Sequence, residues 1–544
     1  MSLRVAVLQC ELSHPHTPPH LGPSLLVSEL ERRGHRVRRL FVNVTRLESL
    51  ADELIEEATQ LVAIDSIFPL DLVRRFKARL GGIPVVVGGL NAIPVFERAP
   101  LEFAILGPAR TALAELVARI ERRDEHREHR AWQAALEEVP NLFFREVRGD
   151  APTVEDPIDA SPRAEGWDVE RELFPYAPPL EWEYRGPTGR HPMADRHGVS
   201  LIAEWGCPYQ TPFPLPESCR EDRVNLRPAN YTDRAWARLV ETYLDDSAAC
   251  SFCIFRYQGF QAAPLARQIE LLLPQVESLW AQGIRSFALQ SESPFRLLGP
   301  LVEALVGAGM RPEELRLRTM VTVLRAQETA IEEALAAVAA RGIAVSITQV
   351  GFESFVDRSL ALFHKGVTSH DNRRAARFLR RIDRGGGGRI RTVHGHGLIL
   401  FDPWTTLGEL LENLEAIESD APFLKKAVSL DSKLYLYSPY APVARLVRAA
   451  GLLVESEYEF GLDYRFLDPE VERFRELCSR GLAPLLEAVG RRPLEPELRA
   501  RLAIEARFRW FRELASSLLG ESPSAGRHWG HVLAEVIRGL GLEG

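Results

Sequence analysis

The chain has little of what marks a secreted, membrane or nucleic-acid-binding protein. Six cysteines in 544 residues are too few for a disulfide framework, and no apolar run approaches the roughly 18 residues of a membrane span. The formal net charge of −8 leaves no positive surplus for binding a nucleic-acid backbone. The apolar run at 5–8 is too short for a secretion signal. We therefore expect a cytoplasmic protein that acts on a peptide or small molecule, without a nucleic-acid or membrane partner.

What is present instead is a series of alternating strands and amphipathic helices in the N-terminal part. The strands are predicted at 5–8, 37–42, 61–64, 85–87 and 103–106, and the helices at 24–33, 72–80 and 111–120. This alternation predicts an α/β fold with a doubly wound parallel sheet, whose ligand sits at the carboxyl ends of the strands. We expect this Rossmann-like domain to span 1–125 and a Pro-rich connector to span 126–197.

A second βα series follows the connector. Its strands are predicted near 200–204, 284–289, 315–320, 344–350, 396–401 and 428–437. Six such units predict a partial or full βα barrel over 198–440, with its site at the carboxyl ends of the strands. Helical patterns at 470–487 and 495–518 predict a mostly helical C-terminal region over 441–544.

Three of the cysteines have a recognisable spacing. Cys250-Ser-Phe-Cys253 is a CxxC pair, and Cys207 directly follows the first strand of the second series. If the 39 positions of 211–249 are set aside as an insertion, the spacing becomes Cys-x₃-Cys-x₂-Cys. In this form the segment resembles the cluster loop of the radical S-adenosylmethionine (radical SAM) superfamily.

This resemblance implies a [4Fe-4S] cluster bound by Cys207, Cys250 and Cys253. Iron–sulfur clusters usually have four thiolate ligands, so three thiolates leave one iron open for the amino and carboxylate groups of S-adenosylmethionine. It further implies that Phe252 lies against the adenine and that a flavodoxin or ferredoxin type of protein donates the electron.

Two other interpretations of the cysteines remain open. Cys219, inside the insertion, would complete a four-cysteine zinc site, although zinc ligands normally come as two CxxC pairs. Alternatively, the cysteines are ordinary buried residues without a metal.

Polar residues after later barrel strands extend the resemblance. Gly351-Phe-Glu-Ser354, followed by Leu360 and then His364-Lys-Gly366, looks like the family pattern Gly-x-Glu-Ser…Leu…Lys-Gly. The resemblance implies that Glu353 accepts hydrogen bonds from the ribose hydroxyls of S-adenosylmethionine. It also nominates Ser291 and Glu292 for the methionine amino group and Arg318 for its carboxylate. For each acid, a helix cap or a surface carboxylate is the alternative.

The N-terminal segments 16–34, 84–94 and 103–107 resemble the cobalamin-binding domain of cobalamin-dependent radical SAM enzymes. Glycines let the backbone approach a bulky ligand, and the residues that we expect at the cobalamin are Ser66, Gly88, Gly89 and Asn91. The alternative is a Rossmann-like domain that binds nothing and packs on the barrel.

One family motif, Asp-x-His-x-x-Gly, which supplies a histidine ligand to cobalt in many cobalamin proteins, is absent. His14, His16 and His20 lie in the corresponding loop but in the wrong frame. We therefore expect cobalamin to be bound without a protein histidine on cobalt.

The resemblance implies methyl transfer to an unactivated carbon of a peptide or small molecule, through a 5′-deoxyadenosyl radical and methylcobalamin. One alternative keeps both cofactors for cyclisation, rearrangement or oxidation, and another is a non-catalytic cobalamin- or metal-binding protein. Candidate residues that would orient the substrate are His394, His396, Tyr435 and Tyr437, for each of which structural packing is the alternative.

Overall fold

The computed structural model describes most of the chain. The described residues are 2–11, 21–66, 68–89, 92–106, 109–123, 129–145, 152–160, 176, 182–185, 199–205, 207, 250–253, 261–392, 396–436, 441–454, 463–520 and 529–542. Several residues of the sequence analysis lie outside these ranges: His14, His16, His20, Asn91, Cys219, the 211–249 insertion, His394 and Tyr437. No helix within the ranges is long and apolar enough to cross a membrane.

The N-terminal part forms an eight-stranded sheet. Its strands are β1 (Arg4–Glu11), β2 (Arg36–Asn43), β3 (Leu61–Asp65), β4 (Val85–Gly88), β5 (Phe103–Ile105), β6 (Leu142–Arg145), β7 (Ile158–Ala160) and β8 (Glu183–Arg185). They lie in the order β7-β6-β5-β4-β3-β1-β2-β8. All neighbouring pairs are parallel except those of β6, which is antiparallel to both β5 and β7. Because β1 lies between β2 and β3, the order of the strands reverses there, which is where such sheets bind ligands.

Helices cover both faces of this sheet. They are α1 (Leu21–Arg32), α2 (Leu47–Glu56), α3 (Leu70–Leu80), α4 (Ala92–Arg98), α5 (Arg110–Glu121) and α6 (His129–Glu137). Successive strand residues point to opposite faces: Leu8 packs in one apolar core with Phe76, and Val7 in a second core with Leu116. The predicted doubly wound sheet is therefore confirmed.

The segment 126–197, expected to be a connector, supplies β6, β7 and β8 to this sheet. β7 and β8 are three residues long and largely exposed or half-buried. Such short strands carry too little alternation of apolar and polar residues to be recognised in the sequence. The described strands of this segment therefore belong to the N-terminal sheet.

A buried acidic residue ties α1 to α5. Glu29 and Arg110 are each 4% exposed, and the Arg110 guanidinium lies 2.7 Å from the Glu29 carboxylate. Arg32 and Arg33 also donate hydrogen bonds to Glu29. Although burial raises the pKa of Glu29, these hydrogen bonds and the charge of Arg110 lower it to about 2, from an ordinary 4.5.

We predict that Glu29→Gln lowers the free energy of unfolding at neutral pH by about 3 kcal/mol, because the buried charge of Arg110 loses the carboxylate of Glu29. A carboxylate with a lowered pKa stabilises the fold above its unfolded-state pKa and loses this effect as the pH falls towards its folded-state pKa. The deficit of the variant should therefore shrink between about pH 5 and pH 3, measured by urea unfolding. Glu31→Gln on the same helix, which breaks a more exposed pair with Arg39, should change stability by less than about 1 kcal/mol. A pH-independent deficit for Glu29→Gln would contradict this account.

The second sheet is that of the predicted barrel. Its strands are β9 (Val199–Leu201), β12 (Ser286–Leu289), β13 (Glu314–Met320), β14 (Ala344–Glu353), β15 (Ile390–Thr392) and β16 (Gly397–Leu398), while β10 (Glu204–Trp205) and β11 (Gln261–Ala262) form a separate antiparallel ribbon. The order is β15-β14-β13-β12-β9, with all pairs parallel. β15 pairs with the first half of β14 and β16 with its end.

Helices connect these parallel strands. They are α7 (Leu265–Ala281), α8 (Phe295–Gly307), α9 (Val321–Ala326), α10 (Glu328–Ala340), α11 (Asp357–Leu362), α12 (Ser369–Gly385) and α13 (Leu407–Ser419). The strand–helix alternation confirms the partial βα barrel. β15, which follows a run of glycines, was not predicted.

The prediction of a strand at 428–437 is wrong for 428–436, the part of this range that the structure describes. Two isolated bridge residues are present there: Lys433, which pairs in parallel with Phe401, and Leu436. Ser429 and Ser432 instead close a turn, because the Ser432 hydroxyl accepts a hydrogen bond from the Ser429 N–H and the Ser432 N–H bonds the Ser429 carbonyl. Such local hydrogen bonds compete with a strand ladder.

The C-terminal region is mostly helical, as predicted. It consists of α14 (Pro442–Ala449), the short hairpin β17 (Leu453–Val454) and β18 (Asp463–Tyr464), and the helices α15 (Pro469–Gly490), α16 (Pro496–Gly520) and α17 (Trp529–Gly539). Its apolar side chains join the barrel in one core. α15 and α16 meet at Gly481, where any Cβ would lie 2.4 Å from the ring of Trp510. The region is thus an integral part of the barrel unit.

Candidate functional site

The three predicted cluster cysteines lie at the carboxyl end of the barrel strands. Cys207 follows β10, and its Sγ lies 3.4 Å from Sδ of Met320, the last residue of β13. Cys250 and Cys253 close a turn in which the Cys253 N–H bonds the Cys250 carbonyl at 3.1 Å. Burial raises the pKa of the Cys250 thiol to about 12; the charge of Lys365 opposes this shift, and Cys253, Glu353 and Cys207 add to it. The three thiols therefore lie within electrostatic reach of one another.

The turn that carries Cys250 and Cys253 is fixed to the barrel by the residue between them. Ser251 is fully buried, its N–H bonds the Phe363 carbonyl at 3.0 Å, and its hydroxyl bonds the Leu362 carbonyl at 2.8 Å. Phe252 packs edge-to-face on the Phe363 ring at 5.6 Å. The turn is therefore held at the end of α11, and the proposed contact of Phe252 with adenine stays a prediction.

The three thiols are the type of donor that holds an iron–sulfur cluster. Within the described part of the chain, no three metal-binding side chains lie close enough to hold one ion. Zinc needs all its thiolates at about 2.3 Å from one centre, whereas each thiolate of a four-iron cluster binds a different iron, so the sulfurs stand further apart. The thiol of Cys219, which the zinc alternative requires, lies outside the described residues.

Glu353, the last residue of β14, forms a buried ion pair with Lys365. Lys365 Nζ donates to Glu353 Oε1 at 2.8 Å, and the two residues are 7% and 8% exposed. Glu353 has a φ of +56°, a strained conformation for a residue with a side chain and one that clusters at functional sites. Its Oε2 is buried without a hydrogen-bond partner among the described residues. One carboxylate oxygen thus remains available to a ligand donor.

Two glycines make room for this carboxylate. A Cβ at Gly351 would lie 2.7 Å from Glu353 Oε1, and a Cβ at Gly397 would lie 2.7 Å from Oε2. Side chains at either position would displace the carboxylate. The glycine of the Gly-x-Glu motif and that of β16 therefore shape the pocket around Glu353.

Glu292 and Arg318, nominated for the two ends of the methionine group, form a salt bridge with each other. Arg318 also reaches Gln290 Oε1 at 3.4 Å. The Ser291 hydroxyl accepts a hydrogen bond from the Ser293 N–H at 3.0 Å, as in a local turn. The structure therefore brings these three nominated residues together at the ends of β12 and β13.

Two residues at this end of the barrel were given no role from the sequence. Lys365 is the lysine of the Lys-Gly pair in the family pattern, and this position could have identified it as a site residue. Glu204 is 9% exposed and is the last residue of the strand predicted near 200–204, which is the signal that could have identified it. Burial raises the pKa of the Glu204 carboxyl and the charge of Glu292 raises it further, while a hydrogen bond from Ser291 opposes the shift.

The substrate-orienting candidates have packing environments where they are described. His396 Nδ1 accepts a hydrogen bond from the Val350 N–H at 3.1 Å, and its ring packs against the rings of Phe352 and Phe423. The Tyr435 ring lies 5.9 Å from the Lys433 ammonium. His394 and Tyr437 lie outside the described residues.

Three of the nominated cobalamin residues, Ser66, Gly88 and Gly89, meet at the carboxyl ends of β3 and β4, beside the reversal of strand order. Asn91 lies outside the described residues. The Ser66 N–H bonds the Gly88 carbonyl at 2.8 Å. Gly89 has a φ of +105°, and a Cβ there would lie 2.8 Å from the Ser66 hydroxyl oxygen. The two turns therefore touch, and only glycine at 89 leaves Ser66 in place.

Comparison with known proteins gives structural matches only. No protein-family model matches the sequence, and no curated protein sequence matches it. The cobalamin-dependent S-adenosylmethionine radical enzyme OxsB, solved with aqua-cobalamin and S-adenosylmethionine bound, is 14% identical with a TM-score of 0.61, over 98% of this chain and 75% of OxsB.

The radical S-adenosylmethionine methyltransferase TsrM from Kitasatospora setae is also similar. Its structure with cobalamin and a [4Fe-4S] cluster has a TM-score of 0.52 at 16% identity, over 99% of both chains. Its structure with the tryptophan substrate and a SAM analogue, aza-SAM, matches at 0.52 and 19% identity, over 84% of this chain and 78% of TsrM. The chain therefore has the fold of the cobalamin-dependent radical SAM enzymes, as its sequence resemblance implied.

Proposed function

We propose that this protein is a cobalamin-dependent radical SAM enzyme that transfers a methyl group to an unactivated carbon of a peptide or small molecule. The observation that supports this most is the set of three thiols, Cys207, Cys250 and Cys253, at the same end of the barrel as Glu353 and Glu292. TsrM, which shares the fold, is described as a methyltransferase with a tryptophan substrate, and this favours a small substrate.

The proposed cofactor-binding residues lie in two parts of the chain. The barrel would hold the cluster and S-adenosylmethionine, and the N-terminal sheet would hold cobalamin. The cysteines would hold the [4Fe-4S] cluster; Phe252, Ser291, Glu292, Arg318 and Glu353 would hold S-adenosylmethionine; and Ser66, Gly88, Gly89 and Asn91 would hold cobalamin. When bound, these groups supply the radical that removes a substrate hydrogen and the carrier of the methyl group.

The chain itself contributes binding, orientation and the exclusion of water. Glu353 Oε2 would accept a hydrogen bond from a ribose hydroxyl, because Lys365 occupies the other carboxylate oxygen. A buried carboxylate held by a neighbouring ammonium needs no reorganisation when the ligand enters. Ser66 and the backbone of Gly88 and Gly89 would approach the cobalamin face closely.

The function is tested with anaerobically reconstituted protein. We expect about four irons per cluster site, binding of hydroxocobalamin without the spectrum of a histidine-ligated cobalt, and formation of 5′-deoxyadenosine from S-adenosylmethionine under reduction. Methylated product in the presence of candidate substrates would establish methyl transfer. Absence of cobalamin binding would favour the alternative in which the N-terminal domain binds nothing and only packs on the barrel. A spectrum of histidine-ligated cobalt would contradict the expectation that His14, His16 and His20 do not ligate cobalt.

We predict that Gly89→Ala lowers cobalamin affinity at least about tenfold, because the new Cβ displaces Ser66 and strains a positive φ. Gly81→Ala is the matched control: this glycine follows α3, also has a positive φ of +58°, and has open space around its Cβ position. It should cost a similar backbone strain but leave cobalamin affinity unchanged. Titration of each variant with hydroxocobalamin measures the difference, and equal affinities for the two variants would remove Gly89 from the site.

A further inference from the structure

The turn after α11 brings a lysine to the cluster loop. Ser251, the residue after Cys250, donates from its N–H to the Phe363 carbonyl at 3.0 Å and from its hydroxyl to the Leu362 carbonyl at 2.8 Å. Lys365 follows these two carbonyls in the same turn. The backbone beside Cys250 is therefore hydrogen-bonded directly to the segment that carries Lys365.

The side chain of Lys365 is directed inward by the end of the helix. The His364 N–H bonds the Ala361 carbonyl at 3.0 Å, and the Lys365 N–H bonds the Leu360 carbonyl at 3.1 Å. These bonds close a helix C-terminus whose left-handed residue is usually glycine, yet His364 occupies this position with a φ of +51°. Such strain clusters at functional sites. Lys365 is only 7% exposed as a result, and its ammonium group reaches Glu353.

The Lys365 ammonium group has donors to spare. It carries three N–H groups, and Glu353 Oε1 accepts one of them at 2.8 Å. Burial lowers the pKa of Lys365, but the charges of Glu353 and Cys250 raise it above its ordinary value, and Glu292 adds to this. Because Glu292 is paired with Arg318, Cys250 is the anion that remains for a second N–H among these neighbours. Iron binding makes Cys250 that anion, since cysteine ligates as a thiolate.

A hydrogen bond to a cluster ligand has a defined electronic effect. Hydrogen bonds to the sulfurs and the charge around a cluster set its reduction potential. A reduced cluster carries one more negative charge than an oxidised one, so a nearby ammonium group stabilises the reduced form more, and this attraction is strong where water is excluded. The carboxylate of Glu353 opposes this effect, so the two charges must be separated by experiment.

We propose that Lys365 donates a hydrogen bond to the Cys250 thiolate of the bound cluster, as well as to Glu353, and thereby raises the reduction potential of the cluster. This inference rests on the proposed function and adds to it a residue that controls how readily the cluster accepts an electron. The electron comes from the flavodoxin or ferredoxin type of donor, and the lysine stays protonated throughout. One ammonium group thus joins the cluster to the proposed ribose acceptor.

The reduction potential is measured by electron paramagnetic resonance of reconstituted holoenzyme, without S-adenosylmethionine. The comparison is between Glu353→Gln and the double variant Lys365→Met, Glu353→Gln, because neither contains a buried carboxylate that has lost its cation. The double variant should have the lower potential by at least about 59 mV, which is a tenfold smaller ratio of reduced to oxidised cluster at a fixed potential. Glu353→Gln should lie above the unmodified protein, since the carboxylate no longer offsets the ammonium charge.

Lys77 and Glu102 provide a matched control in the N-terminal sheet unit. Lys77 is 3% exposed, and its ammonium nitrogen lies 2.6 Å from the Glu102 carboxylate. The double variant Lys77→Met, Glu102→Gln should have the same cluster potential as Glu102→Gln. An equal shift in both pairs would overturn the inference, because the shift would then follow from the loss of any buried lysine.

A second measurement detects the hydrogen bond itself. The chain has only five lysines, so protein made with lysine carrying the heavy nitrogen isotope in its side chain contains few labels. Electron nuclear double resonance of the reduced cluster should show a coupling to this nitrogen in the unmodified protein and in Glu353→Gln. The coupling should be lost in the double variant with Lys365→Met.

The outcomes separate the inference from the function on which it rests. If the cluster forms and is reduced but the unmodified protein shows no coupling to lysine nitrogen, the inference is wrong and the proposed function stands. The same holds if Glu353→Gln and its double variant have equal potentials. If the unmodified protein forms no cluster, both are overturned.

Discussion

Replacement of Cys250 by alanine is expected to reduce cluster iron from about four atoms per chain to none, and Cys207→Ala and Cys253→Ala are expected to do the same. Two thiolates cannot retain a cluster whose fourth iron is already without a protein ligand. Burial holds the thiol of Cys250 protonated, so only bonding to iron would stabilise its thiolate. Iron analysis and the visible absorbance of anaerobically reconstituted protein measure the effect, together with loss of 5′-deoxyadenosine.

Cys10 in β1 and Cys478 in α15 provide matched controls. Both are buried, 1% and 0% exposed, and their replacement by alanine should cost about 1 kcal/mol of stability without loss of iron. Full iron loading of Cys250→Ala would contradict the assignment. If Cys219→Ala loses iron and Cys207→Ala retains it, the first ligand lies within the 211–249 insertion.

Lys365→Met is expected to lower the free energy of unfolding by about 3–5 kcal/mol, because it leaves the buried carboxylate of Glu353 without its cation. The methionine fills the space of the lysine stem, so the loss measures the charge rather than a cavity. The double variant Lys365→Met, Glu353→Gln should recover most of this loss, since no unpaired charge then remains. Denaturant unfolding of the apo-protein measures stability without cofactor linkage.

Lys425→Met supplies the control for this cycle. Lys425 pairs with Glu505 at 2.9 Å, but the Glu505 side chain is 40% exposed, so the change should cost less than about 1 kcal/mol. If the double variant at Lys365 and Glu353 is as unstable as Lys365→Met alone, the ion pair is not the origin of the effect. The same double variant should bind S-adenosylmethionine more weakly, because a neutral amide oxygen is a weaker acceptor for the ribose hydroxyls than a carboxylate.

The sequence was sufficient for elements with a strong hydrophobic period. β1, β3 and β4 are runs of buried apolar residues, and α16 repeats its apolar face over 25 residues. It was insufficient for β8, whose three residues complete an edge through parallel pairing with β2. Pairing at an edge depends on which segment of the chain arrives there, and no local pattern records it.

The candidate site, like the fold, contains residues that the sequence could predict and residues that it could not. Cys207, Cys250 and Glu353 were predicted as site residues because they carry motif spacing. The pairing of Glu292 with Arg318 depends on the register between β12 and β13. The register of β14, the strand that ends at Glu353, shifts by one residue against β13 between Ile347 and Gln349. Such a bulge re-aims the side chains beyond it, and the sequence carries no sign of it. Glu204 was overlooked because a single acid after a strand has no motif.

Ser251 gives the cluster loop an attachment of its own. Because Ser251 bonds the carbonyls of Leu362 and Phe363, Cys250 and Cys253 keep their place through α11, whereas Cys207 is placed through the first barrel strand. The positions of the three cysteines are thus held by two separate attachment points, and they do not depend on the segment that joins these points along the chain. Insertions and deletions within 211–249 can therefore accumulate during evolution under selection for access to the site alone, with the cofactor-binding residues left unaffected.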